Sequence, residues 1–154
     1  MFCSDTVKWL YELQEGFTWN SGKTIPEDRE FQDDQGRTWL MLKTNGDITV
    51  PKRYAWDGCT PKFCVLDVLL GVPDGAVHAG TGKPKAYYAS LVHDALYQFL
   101  DRELPYTRKD ADDFFLRLMT ETRFLPRHLY YWAVRLFGGF FRWFGVNYGK
   151  KKKV

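Results

Sequence analysis

Residues 87–119 read YYASLVHDALYQFLDRELPYTRKDADDFFLRLM, and the two periodic runs in this stretch decide the fold class. In the first, Leu91, Val92, Ala95, Leu96 and Phe99 recur at spacings of three and four, the pattern of an amphipathic helix. His93 and Tyr97 are four apart and share one helix face, while Asp94 points about a quarter-turn round. Pro105 ends the run. Thr107-Arg108-Lys109-Asp110 then reads as a capping box with Asp in place of Glu, opening a second helix. Its apolar side holds Ala111, Phe114, Phe115, Leu118 and Met119, with Asp112 among them. A short connection makes two such helices antiparallel neighbours, so Asp112 is expected to face His93 across the pair.

A histidine with a carboxylate on one ring nitrogen has a fixed tautomer and a more basic second nitrogen, which can take a proton from water. Asp94, beside it, is a hard oxygen donor of the kind a calcium ion prefers. The bland alternative is a part-buried His–Asp pair that only ties two helices together.

Working outward, residues 16–53 read as β-structure. Phe17-Thr18-Trp19 is a strand candidate, and the runs Arg37 to Lys43 and Asp47 to Val50 flank Asn45-Gly46. Asn-Gly between two such runs is a strong hairpin signal, because both residues tolerate positive φ. Residues 1–15 are expected to form a short helix, with Val7, Leu10, Tyr11 and Gln14 along one side. The fold expected is therefore α+β: a small N-terminal antiparallel sheet, then a mainly helical half containing an antiparallel helix pair. The 154 residues are read as one domain, with a β-rich part (16–53), a central helix pair (86–122) and an aromatic, basic C-terminal segment (127–154).

Pro51 to Cys64 leaves the hairpin and turns at Asp57-Gly58. Glycine there lets backbone carbonyls converge, as a cation loop needs, although Asp-Gly is also a common tight turn. Residues 71–85, with four glycines and two prolines, read as a surface loop or lid, and His78 within it as a solvated residue. The last segment is dense in aromatics. Leu129 to Phe137 reads as a third core helix, broken or bent at Gly138-Gly139. Phe140, Phe141, Trp143 and Phe144, followed by a lysine cluster that includes Lys150 and Lys151, mark a segment (140–153) that binds an anionic membrane or a protein partner, the bland alternative being more core with a solvated basic tail. Arg127, Arg135 and Arg142 would lie toward the membrane headgroups.

Composition excludes several classes. Apolar residues make up 45% and aromatics 18%, which argues against disorder. The net charge of +3 rests largely on the terminal lysines, and no nucleic-acid partner is expected. Three cysteines do not make a disulfide framework. There is no secretion signal and no run long enough to cross a bilayer, so the chain is expected in a host cytoplasm or a phage particle, with membrane-surface association open. A phosphohydrolase built on an HD pair would need more histidine ligands than His78 and His128 supply.

Two resemblances follow from these blocks. GDITVPKRYAWDGCTPKF (46–63), ASLVHDALYQ (89–98), RKDADDFFLRLM (108–119) and YYWAVRLFGG (130–139) together resemble a family of small phage and bacterial proteins of uncharacterised function. The same central blocks are similar, more distantly, to phospholipase A₂, especially its bacterial and parvoviral forms. The residues carrying that similarity are Asp57-Gly58-Cys59-Thr60, His93-Asp94-Ala95-Leu96-Tyr97 and Asp112-Asp113-Phe114-Phe115. It implies His93 as general base, Tyr97 and Asp112 orienting it, and calcium held by Asp94 with carbonyls near Asp57 and Gly58. The chain departs from the pattern in having one loop glycine, a long gap from Gly58 to His93 and no disulfides. Calcium-dependent hydrolysis of a lipid ester is the activity implied. The alternative is a non-catalytic phage accessory or virion protein that binds a phage or host protein through its aromatic C-terminus.

Overall fold

A computed structural model describes residues 11–56, Lys83 and 85–143, with the backbone alone at Tyr11 and over 137–143. Among the described residues, six strands precede three helices. The strands are β1 (Tyr11–Glu12), β2 (Phe17–Asn20), β3 (Arg29–Gln32), β4 (Thr38–Leu42), β5 (Asp47–Val50) and β6 (Ala55–Trp56). The helices are α1 (Tyr87–Phe99), α2 (Arg108–Glu121) and α3 (Arg127–Trp143). The architecture is α+β, as the periodicities require.

Strands β2-β5-β4-β3 form an antiparallel sheet in that order. Its alternation is clean. Leu40, Leu42, Ile48 and Val50 are wholly buried, whereas Thr18 and Thr49 pair their hydroxyls at 2.8 Å on the outer face. The β4–β5 hairpin forms where Asn45-Gly46 places it, but with a different turn. Lys43 N–H donates to Asp47 O and Gly46 N–H to Lys43 O, both at 2.9 Å. Gly46 sits at φ +91° and Asn45 is not among the positive-φ residues. The loop is thus three residues, with only its glycine left-handed.

The helix expected over residues 1–15 does not extend to Tyr11–Glu12, which pair with Trp56 and Ala55 as a two-stranded ribbon. Leu13 continues the pairing: its N–H donates to Tyr54 O (2.8 Å) and its carbonyl accepts from Arg53 N–H (2.7 Å). Buried Leu13 is a core residue. A long-range partner and a place in the core override the weak helical periodicity. Residues 1–10 lie outside the described residues.

Helix α1 lies on β4 and β5 and is fastened to the strands at both ends. Trp56 Nε1 donates to Ser90 Oγ (3.0 Å), and Tyr54 hydroxyl to Gln98 Oε1 (3.0 Å). The capping box at α2 is complete, Thr107 accepting from Asp110 N–H and Asp110 from Thr107 N–H. Helix α2 is closed off by Arg123, just past its C-cap Thr122 and in the left-handed region at φ 53°, and Phe124 N–H reaches back to Met119 O at 2.9 Å. Helix α3 runs without interruption through Gly138-Gly139, contrary to the break expected there. Glycine costs about 1 kcal/mol in a helix interior but does not forbid helical dihedrals. Among the described residues, no helix is long and apolar enough to cross a membrane.

Candidate active site

The antiparallel α1–α2 pair is evident from its own contacts: residue 93 meets 112, and residue 97 meets 108. The meeting point is Asp112, which is wholly buried. Its Oδ1 lies 2.8 Å from His93 Nε2 and accepts from the Tyr97 hydroxyl at 2.5 Å. Its Oδ2 accepts from Arg135 of α3 at 2.9 Å, with Arg108 Nε 3.9 Å away. A buried carboxylate is tolerable only when its lone pairs are satisfied, and here α1 and α3 supply the donors.

The electrostatics follow. Burial opposes charge on Asp112, but the hydrogen bonds from His93, Tyr97 and Arg135 hold its carboxyl below its ordinary value. Tyr97 is pushed well above the usual phenol value, first by burial and then by the charge and hydrogen bond of Asp112, so it remains a donor. Its oxygen also accepts from Arg108 Nε at 3.2 Å. The ionised carboxylate assigns the tautomer of His93: Nε2–H donates to Asp112, leaving the Nδ1 lone pair free to act as a base.

His93 is held in position from both sides. Its ring lies 4.1 Å from that of Tyr97 and 4.8 Å from that of Phe115, centroid to centroid. Its side chain is 10% exposed. Among the described residues no group bonds Nδ1. An imidazole oriented by a carboxylate, with its second nitrogen unbonded, can accept a proton from a small polar molecule that reaches it.

The other site residues read from the sequence divide into three groups. Asp94 follows His93 on α1, half-buried and already engaged in an interaction. Asp57 and Gly58 lie outside the described residues, as do His78, nearly all of the 71–85 stretch, Phe144, Lys150 and Lys151. Phe140, Phe141 and Trp143 belong to α3, where the backbone alone is described. No cluster of three His, Cys, Asp or Glu side chains suited to a metal occurs among the described residues. Asp94 is the one described residue among those expected to hold calcium, and the Asp57-Gly58 loop expected to complete its site lies outside the described residues.

Two arginines enter the site that the sequence assigned elsewhere. Arg135 was read as a headgroup-facing cation and is instead turned onto Asp112. Arg108 opens α2 and also donates to the α3 carbonyls of Val134 (3.0 Å) and Arg135 (2.5 Å). A buried aspartate needing more donors than His93 and Tyr97 was the one available signal that a cation had to arrive.

A family model for proteins of unknown function (DUF1353) matches residues 40–134. The chain belongs to the DUF1353 family. The span matched by DUF1353 takes in the end of β4, all of β5 and β6, both helices of the pair and the first part of α3. It contains His93, Asp94, Tyr97, Arg108 and Asp112 and stops one residue short of Arg135. No curated protein and no solved structure matches the chain.

Proposed function

We propose that this DUF1353 protein is a hydrolase in which His93 is the general base and a phospholipid ester is the substrate. The observation that supports it is the 2.8 Å bond from His93 Nε2 to buried, ionised Asp112, with Tyr97 on the same oxygen and Nδ1 unbonded among the described residues. The choice of ester rests on the ordered resemblance to phospholipase A₂.

In this reading His93 Nδ1 takes a proton from water as the water oxygen bonds to the ester carbonyl carbon. The tetrahedral intermediate then expels the alcohol oxygen, which recovers the proton from His93. Asp112 remains ionised throughout and stabilises the transient imidazolium. Tyr97 and Phe115 hold the ring in plane. Calcium, when bound, supplies positive charge for the carbonyl oxygen, with Asp94 as its donor from α1.

The same network fastens three helices, so the experiment must separate chemistry from folding. Turnover of anionic phospholipid vesicles is measured with calcium and with chelator, for the wild type, His93→Ala and Asp94→Ala, each checked by circular dichroism. The expected result is calcium-dependent fatty-acid release, lowered about 100- to 10,000-fold in folded His93→Ala. Release that survives His93→Ala, or is equal in chelator, overturns the proposal.

A further inference from the structure

Helix α3 has two apolar faces. Tyr130, Ala133 and Val134 are buried toward the helix pair. Leu129, Trp132 and Leu136 are 40%, 58% and 66% exposed, and Leu125, just before the helix, is 86% exposed. Within α3, spacings of three and four place Leu129, Trp132 and Leu136 on one face, and Leu125 is exposed two residues before the helix begins. Large apolar side chains grouped on one solvent-facing side mark an interaction site.

Charge identifies what meets it. Glu121 is the last acidic residue of the sequence; beyond it stand Arg123, Arg127, Arg135, Arg142 and Lys150 to Lys153. Arg135 is bound to Asp112 and Arg127 donates to the Phe124 carbonyl at 3.3 Å, Arg123 is exposed, and the sequence beyond Arg135 adds only positive charge. A second copy would bring the same cationic helix against this one, which like charge opposes. A helix with a Leu/Trp row, basic flanks and too little length or apolarity to span suits the plane of an anionic bilayer.

We propose that α3 lies on an anionic lipid surface, inserting Leu125, Leu129, Trp132 and Leu136. This places the membrane-binding surface in the described half of α3, ahead of residues 140–153, where the sequence leads one to expect a membrane or protein contact. The inference stands on α3 and goes beyond the hydrolase reading, since binding does not require turnover.

The test is co-sedimentation of the full chain with vesicles of phosphatidylcholine, with and without an equal part of phosphatidylglycerol, in chelator. Chelator keeps an inert or active His93 from affecting the outcome. The wild type is expected to bind the anionic vesicles only, less so as salt rises. Trp132→Glu and Leu136→Glu should each lower partitioning about tenfold with the circular dichroism unchanged. Leu125→Glu, outside the helix, provides the same reading if either helix variant unfolds. Trp132→Phe should remove most of the lipid-induced blue shift in tryptophan emission. Wild-type binding by all three glutamate variants, with loss only in a chain ending at Gly149, overturns the proposal in favour of the lysines. So does equal binding to phosphatidylcholine alone. Absence of vesicle binding, with self-association abolished by Trp132→Glu, overturns it in favour of a protein interface.

Discussion

Arg135 reaches from α3 to the Oδ2 of Asp112 at 2.9 Å, taking the carboxylate oxygen that His93 leaves open. The charge of one buried side chain is thereby shared between a candidate base and a structural cation. Arg135→Gln should lower stability by about 1–3 kcal/mol, because an acceptor of a buried charge is left short of a partner. Arg135→Lys should recover part of it, keeping the charge without the guanidinium fork. Urea denaturation of the two variants checks both, and equal losses would show that the charge contributes nothing.

Removing the carboxylate is the harsher change. Asp112→Ala leaves Arg135 and Tyr97 buried without their acceptor and is expected to cost about 3–5 kcal/mol. Chemical denaturation at neutral pH measures it. A loss below 1 kcal/mol would mean that the network is decorative.

Acid should act through the same group. Asp112 is held below its ordinary value in the folded protein, burial being outweighed by His93 and the other donors. Its ionised form therefore contributes stability above the unfolded carboxyl pKa of about 3.9, lost as pH falls through the lower folded value. Asp110, which caps α2 and pairs with Lys23 at 2.7 Å, is shifted the same way. Stability should thus fall steeply below about pH 4. In Asp112→Asn the fall should be shallower; an identical pH profile would exclude Asp112 as its source.

Two glycines offer a control on the sheet. Gly36 and Gly46 both have positive φ, at +76° and +91°. A Cβ on Gly36 meets nothing within 4 Å, whereas one on Gly46 comes within 3.2 Å of Lys23 O and 3.3 Å of Ser21 Oγ. Gly36→Ala should cost about 1–2 kcal/mol, the left-handed penalty alone. Gly46→Ala should cost more, and thermal unfolding of the pair measures the steric difference.

What was legible in the sequence was local. Helix α1 follows its apolar spacing from Tyr87 to Phe99, and α2 begins at the capping box of Thr107 and Asp110. The β4–β5 hairpin follows Asn45-Gly46. Arg29–Gln32 is a strand with one apolar residue, Phe31, and only its neighbour β4 makes it one. His93, Tyr97 and Asp112 could be brought together from two helical periods and one short connection. Arg135 could not, because its role depends on how α3 crosses the pair, which no spacing within α3 encodes.

The pairing of Tyr11–Glu12 with Ala55–Trp56 has a kinetic meaning. It joins two points some forty residues apart and pins the ends of the segment that builds the four-stranded sheet. The β4–β5 turn and the α1–α2 pair are low-contact-order units that can form early, whereas this ribbon must wait for a long loop to close. In pulse-labelled refolding, the amides of Lys43 and Gly46 should gain protection before those of Leu13 and Arg53. The strand that opens the described chain would then be among the last parts to lock.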